Sequence, residues 1–510
     1  MRSVSEPIGG QTVADFDQRG LIWQTITWQA VGLFLLISHI LLAKLSLAFY
    51  PFVIVLFGWI FARSSLAGFI VFMQTLLYQN ILISLFSTDM EPQTFSALQG
   101  TNFACLAVMA VVASLQLAPF VQRYRKIVLS LLVAFGALIL YTAIGAISAG
   151  PTSAIVYFRE FASPLLAGIV GIEIGRVWGF RTVGVCLLYS SVLAILLSIF
   201  EFCYPIDFYN AINEVQFLQL KYYTQPSGNT FYTAQDIVTH YTSVFFNITA
   251  ASTASDTLQS FRFGGTIINP ISNGYIIAVS GLVAIALRRS LWLLILLPML
   301  VMEGVKGANI LVLTSVALFW VWTAIPHRPT LVAAGFCLAA SYLAVGIFLG
   351  LRNDDFHVLG FMGGVHSLIH DPIGHGIGVG GNMSTNANAG FKWTGRGGFI
   401  SGGVDFAVES AIGVLIYQMG VAAAAILGVF ATFLWHAPLG DRIFLRPQRS
   451  DIVFLGLAMI AVNGVFQEEA FAPYAAGLLM LLTGVLIGNQ RRPGQIIEGR
   501  VRRYARLAAA

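Results

Sequence analysis

The sequence predicts an all-α, polytopic transmembrane helix bundle of about twelve to fourteen spans with two long outer loops. Three observations predict it. Charged residues make up 10% of the 510 residues and hydrophobic ones 57%, whereas a soluble domain carries roughly 25% charge. Mean hydropathy is +0.79. The apolar residues run in continuous stretches of about 20, the length that crosses a hydrocarbon core as a helix. As a soluble fold, such a chain would expose apolar surface that water cannot solvate. That excludes a soluble enzyme, a disordered chain and a nucleic-acid binder. Helices follow because a spanning segment has to satisfy its own backbone hydrogen bonds. The alternating segments of an outer-membrane barrel are missing.

The spans fall near 22–43, 45–62, 66–87, 101–120, 127–149, 160–176, 182–201, 270–287, 290–304, 307–325, 330–350, 409–434, 452–468 and 471–488. Those near 160–176 and 290–304 are short, so the count stays open between twelve and fourteen. The first run follows a polar stretch of about 20 residues and reads as a retained span, not a cleaved signal peptide. Cys105, Cys186, Cys203 and Cys337 have no metal-ligand spacing, and no disulfide framework is expected.

The net charge is +5, and its placement says more than its sum. Arg123, Arg125 and Lys126 follow the fourth span, Arg176 and Arg181 the sixth, Arg288 and Arg289 the eighth, His327 and Arg328 the tenth, and Arg442, Arg446 and Arg449 the twelfth. Arg491, Arg492, Arg500, Arg502, Arg503 and Arg506 lie in the tail. All fall on one side if the N-terminus is cytoplasmic, which is the positive-inside pattern with both termini cytoplasmic. The chain then divides into a cytoplasmic segment 1–21, N-terminal helices 22–201, a first large periplasmic loop 202–268, central helices 269–350, a second large loop 351–408, C-terminal helices 409–488 and a basic cytoplasmic tail 489–510.

Most of the polar chemistry gathers at the outer ends. The segment Phe261-Arg262-Phe263-Gly264-Gly265-Thr266-Ile267-Ile268-Asn269-Pro270 enters a span. Pro270 suits a first helical turn, the glycines allow close approach, and an arginine at that boundary can fork onto phosphate oxygens. Snorkelling of Arg262 to the interface is the plainer alternative. Glu303 and Lys306 sit between two apolar runs, where charges are costly, so they are expected to pair or to meet a ligand. Arg352 closes a span and opens the second loop. There His366, His370, Asp371 and His375 fit no specific metal motif, and a helix ending at Asp371-Pro372 before a glycine-rich turn explains them as well. Asp405 and Glu409 stand at the mouth of an apolar helix, placed either to stabilise its N-terminus or to accept a proton from a hydroxyl. Asp89 and Glu91 form a weaker acid pair, and Arg159-Glu160 reads as structural or as the rim of a cleft.

In this order the segments resemble the bacterial O-antigen polymerase and O-antigen ligase superfamily. The resemblance covers roughly 260–425: the Arg-x-x-Gly-x-x-x-x-Asn-Pro segment, a cation between spans, and an arginine opening a long outer loop. An Asp-Pro-x-Gly-x-Gly-x-Gly stretch and a helix that begins with a polar pair and reaches Gly420 complete it. It implies a GT-C-like helix bundle in the inner membrane and metal-independent, inverting glycosyl transfer, with no cofactor. The implied substrate is a lipid-diphosphate-linked oligosaccharide on an undecaprenyl-type carrier. Membrane lipids, a chain-length regulator and export machinery are the implied partners. Arg262, Lys306 and Arg352 would hold the donor diphosphate, with Glu409, Arg352 and Arg262 catalytic. Tyr222, Tyr223, Trp393, Arg396 and Asp405 are the glycan-binding candidates. Glu409-Ser410 stands where ligases carry His-Asn, which favours a polysaccharide polymerase over a ligase, and Lys306 replaces a frequent arginine. The rivals are an O-antigen ligase, a flippase or transporter of lipid-linked sugars, and a structural subunit of an export complex. A transporter usually places ionisable groups along a midplane path, and here only Glu173 and Glu201 stand apart from the outer ends.

Overall fold

The computed structural model describes residues 18–224, 231–244, 259–352, 355–381, 383, 409–436 and 447–490. Among them eleven helices are long and apolar enough to cross a membrane. Three shorter apolar helices, Leu47–Arg63, Ser290–Glu303 and Asp451–Asn463, stand where the other expected runs fall. The basic tail lies outside the described residues.

Close backbone contact builds the centre. The helix Leu478–Gly488 is buried along its whole length and crosses the helix Pro151–Val177 through Gly171 and Gly175 on one side and Gly484 and Gly488 on the other. A Cβ on Gly171 would come 2.0 Å from the Leu481 carbonyl oxygen. Small residues at four-residue spacing bring two backbones together where lipid offers no hydrophobic drive. The helix Ser65–Leu85 is also almost wholly buried. By contrast, Pro329–Arg352 is 6% buried and turns Val332, Phe336, Val345 and Phe348 outward, as a helix facing acyl chains does.

The sixth span differs from its expected bounds. It runs Pro151–Val177, beginning well before the expected 160, because Arg159 and Glu160 lie inside the helix. They line an internal cavity instead of marking the membrane boundary. Pro164 sits within this helix, on its buried side.

Connectors expected on one side meet one another: Arg123 donates to the Gln490 carbonyl, the Gln490 side chain donates to the His436 carbonyl, and Arg176, in the last turn of the helix Pro151–Val177, lies 4.9 Å over the Phe120 ring.

The first long loop is folded. It carries helices Pro205–Ala211, Glu214–Thr224 and Ala234–Tyr241, and two three-residue strands pair antiparallel with Thr242 opposite Phe261. Phe208, Tyr209, Phe217 and Phe231 are buried and join the loop to the core of the bundle. The second loop opens with the helix Phe356–His370, which packs against the helix Ala411–Met419. Asp371 follows as its C-cap and a glycine run continues. Gly374, Gly376, Gly378, Gly380 and Gly381 all have positive φ. The run therefore threads between helices: Ile377 N–H donates to the Tyr141 carbonyl at 2.9 Å and Gly376 N–H to the Gln418 carbonyl at 2.9 Å. Tyr141 lies about two turns from the end of the helix Arg125–Ser148, so this stretch dips into the bundle. Irregular backbone is tolerated there because protein carbonyls satisfy it.

Candidate functional site

The Arg262 segment is built on a buried acid. Glu201, at the end of the span Phe180–Cys203, accepts the Gly264 N–H at 2.9 Å, the Gly265 N–H at 2.5 Å and the Tyr209 hydroxyl at 2.8 Å. The Asn273 amide donates to the Phe263 carbonyl at 3.1 Å and to the Glu303 carboxylate at 3.2 Å. Asn269 caps the helix Pro270–Leu287, its side chain accepting the Ser272 N–H at 3.0 Å, with Pro270 in the first turn. Ile268 takes a left-handed conformation, φ 54°, which a β-branched residue adopts only when its surroundings over-determine it. This clamp fixes where Arg262 emerges. The Arg262 Nε is buried and has no hydrogen-bond partner among the described residues. Burial pulls the guanidinium below its ordinary value, the Glu303 carboxylate pulls it back, and arginine stays charged.

Glu303 and Lys306 do not pair with each other. Among the described residues the ion pairs are Arg176–Glu173, His357–Glu409 and His375–Asp371. Glu303 is fully buried and takes Asn273 as its partner. The left-handed Gly304 turns the chain between the two residues, so they leave in different directions. Lys306 is half-buried and lies within electrostatic reach of Asp355 and Arg262. Arg262 and Lys306 thus share one electrostatic neighbourhood, two cations of the expected three.

Asp355 caps the helix Phe356–His370, accepting the His357 N–H at 2.9 Å. Its cap sets His357 beside Glu409: the Nδ1 lies 3.0 Å from the Glu409 carbonyl and 3.6 Å from its carboxylate. The N-cap of the next helix is Ser410, which accepts the Gly413 N–H at 3.0 Å. The helix N-terminus is satisfied without Glu409, whose half-exposed carboxylate faces His357 instead. On its other side Glu409 acts electrostatically on Glu468 and Glu469. Glu468 is anchored by the Tyr157 hydroxyl at 2.7 Å.

A cavity of about 570 Å³ opens beside these acids. Its charged lining is Arg159, Glu160, Lys221, Glu468 and Glu469, and Ile267, Ile268 and Asn269 of the clamped segment form part of its wall. Arg159 donates to the Gln99 carbonyl at 2.8 Å. Lys221 lies near Glu214 and Glu469, and burial lowers its pKa from the ordinary value.

Arg352 is exposed at the end of its helix, three residues before Asp355. Tyr222 and Tyr223 fall in the last turn of Glu214–Thr224, with side chains outside the described set. Trp393, Arg396 and Asp405 lie outside the described residues. Asp89 and Glu91 are exposed. The loop histidines find ordinary partners: His375 stacks on Tyr417 at 4.1 Å, its Nε2 lies 3.1 Å from the Ser367 hydroxyl, and its Nδ1 faces Asp371 at 3.6 Å. Among the described residues no group of three or more His, Cys, Asp or Glu is arranged to hold a metal ion.

Three features escaped the sequence reading. His357 is a single histidine whose partner is 52 residues away. Glu468-Glu469 closes the gap between two apolar runs, an acid pair at a costly position that could have flagged it. Lys221 enters the cavity from a helix that only folding brings there.

Neither a search of protein-family models nor one of curated proteins matched the chain.

Proposed function

We propose that this membrane protein is a polymerase of a bacterial surface polysaccharide. It would transfer a growing glycan from a lipid-diphosphate carrier to a hydroxyl of a lipid-linked repeat unit on the outer face of the inner membrane. The observation that carries the reading is the adjacency, at one end of the bundle, of a cation pair and an acid–histidine pair. Lys306 lies within electrostatic reach of both Arg262 and Asp355, and Asp355 caps the helix that sets His357 against Glu409.

The chemistry follows from those charges. The acceptor oxygen attacks the anomeric carbon, the bond from that carbon to the phosphate oxygen breaks, and its electron pair leaves on the diphosphate. Fixed cations at the leaving group stabilise the charge that develops there. The acceptor's proton passes to the Glu409–His357 pair, a role that acid–base side chains fill. One attack of this kind inverts the anomeric centre, and no step calls on a metal.

The two acids that might have marked a transport path have local partners. Glu173 accepts two bonds from Arg176, at 2.8 and 2.6 Å, and Glu201 accepts its backbone donors.

The test uses purified protein in proteoliposomes with lipid-diphosphate-linked repeat units and EDTA, the products being separated by size. A ladder of lengthened glycans supports the polymerase. A finished glycan moved at unchanged length makes the chain a ligase, and unreacted substrate crossing the bilayer makes it a transporter.

A further inference from the structure

We infer that the 570 Å³ cavity is a glycan chamber that seats the sugar rings of the acceptor, separate from the cations that hold the donor diphosphate. The inference rests on the polymerase reading for the identity of its glycan and goes beyond it in assigning a second site.

Three observations carry it. The first is charge. The chamber lining holds two cations, Arg159 and Lys221, against three carboxylates, Glu160, Glu468 and Glu469. Sugar hydroxyls donate to carboxyl oxygens and accept from lysine, arginine and amide groups. Gln79, Asn80 and Gln99 add amides to the same wall.

The second is shape. The volume lies within the roughly 300–1,000 Å³ of small-molecule sites. Phe95, Phe103, Phe217 and Tyr474 supply rings to the lining, and Phe95 and Phe217 hold each other edge to face at 5.3 Å. Apolar ring faces beside hydroxyl-binding groups match the two-sided character of a pyranose.

The third is position. Ile267, Ile268 and Asn269 wall the chamber a few residues after Arg262, so the chamber wall and that cation belong to one clamped segment. Glu409 acts on Glu468 and Glu469, while Asp355, two residues before His357, acts on Lys306. The acid–histidine pair is thus an electrostatic neighbour of the chamber acids and follows closely on the residue that acts on Lys306. A transfer with two large substrates needs both within reach of one base.

Binding to the full chain in lipid nanodiscs tests this by calorimetry with two probes. One is the set of short oligosaccharides released by mild acid from the producing cell's own surface polysaccharide, and the other is inorganic pyrophosphate. Glu469→Gln and Lys221→Met should weaken oligosaccharide binding by about tenfold each, the scale of one lost charged hydrogen bond, and leave pyrophosphate binding within about twofold. Ser96→Trp is the safeguard against misfolding, because Ser96 is an exposed rim residue and the larger ring plugs the chamber from outside. It should abolish oligosaccharide binding alone. Arg262→Ala should do the reverse. Oligosaccharides that do not bind the wild-type protein, that ignore Ser96→Trp, or that are lost with Arg262→Ala overturn the chamber. Chamber binding without elongation in proteoliposomes removes the polymerase reading and keeps the chamber. Elongation with binding blind to Ser96→Trp removes the chamber and keeps the polymerase.

Discussion

The Nδ1 of His357 lies 3.0 Å from the main-chain carbonyl of Glu409 and 3.6 Å from its carboxylate. A carbonyl only accepts, so Nδ1 carries the proton in this contact. In the proposed transfer Glu409 orients a base as well as acting as one. Glu409→Gln and His357→Gln are each expected to lower the elongation rate by about 10²–10⁴, the usual worth of a positioned acid–base group. The donor KM should change little, because neither residue holds the diphosphate. Initial rates across pH check this. If His357→Gln keeps the wild-type rate and pH profile, Glu409 acts alone.

Arg262 is the cation whose position the fold controls most tightly. It emerges from a turn fixed by Glu201 and Asn273, and its Nε has no partner among the described residues. Arg262→Ala should lower kcat/KM for the lipid-linked donor by about 10²–10³, as loss of one oxyanion-type donor does. Arg262→Lys should recover part of that loss, because it restores a charge without the planar fork. Lys306→Ala should fall in the same direction. Equal activity in Arg262→Ala and wild type removes the donor-site assignment.

The clamp under Arg262 can be probed without touching the cation. Glu201→Ala orphans the N–H groups of Gly264 and Gly265 and the Tyr209 hydroxyl. Each buried group left without a partner costs about 1–3 kcal/mol. The expected outcome is a lower unfolding temperature in detergent together with lost elongation. Ser198→Ala removes a weaker contact, 3.4 Å to Asn273, and should leave both near wild type. A Glu201→Ala protein as stable as wild type would show that the carboxylate is not what holds the segment.

What could be read from sequence depended on how local the determinant was. The apolar runs all fall on helices because span length is a property of consecutive residues. The Arg262 segment was legible for the same reason: its glycines, Asn269 and Pro270 act within a few residues. Arg159 and Glu160, legible as structural or as the rim of a cleft, do line a cavity. What they obscured was the start of the helix, at Pro151 instead of near 160, because paired charges usually mark where a span leaves the membrane. Glu409 was found but its partner was not, since His357 reaches it only through the contact of two helices. Of the chamber only the Arg159–Glu160 pair was legible. It is assembled from seven separated stretches of chain, and nothing in the spacing of any one of them points to the others.

The first outer loop carries its own pH signature. Asp236 accepts the N–H groups of Tyr232 at 3.0 Å and Thr233 at 2.9 Å, while Thr233 accepts the Asp236 N–H, closing a capping box on the helix Ala234–Tyr241. Those backbone donors hold the carboxyl below its ordinary 3.8. A depressed folded value means that the unfolded chain binds a proton first as pH falls. The contribution to stability is therefore complete above 3.8 and is lost as pH drops through the lower folded value. Asp236→Ala should consequently lower the unfolding temperature of the loop at pH about 7 and match wild type below the folded value. His240, at the other end of the helix, is pushed below its ordinary value by burial and titrates in a higher window. Comparing wild type with Asp236→Ala at each pH cancels its effect. Hydrogen exchange on the amides of 232–241 reads the difference directly, and a gap that persists unchanged into strong acid would mean that the carboxylate's charge plays no part in the cap.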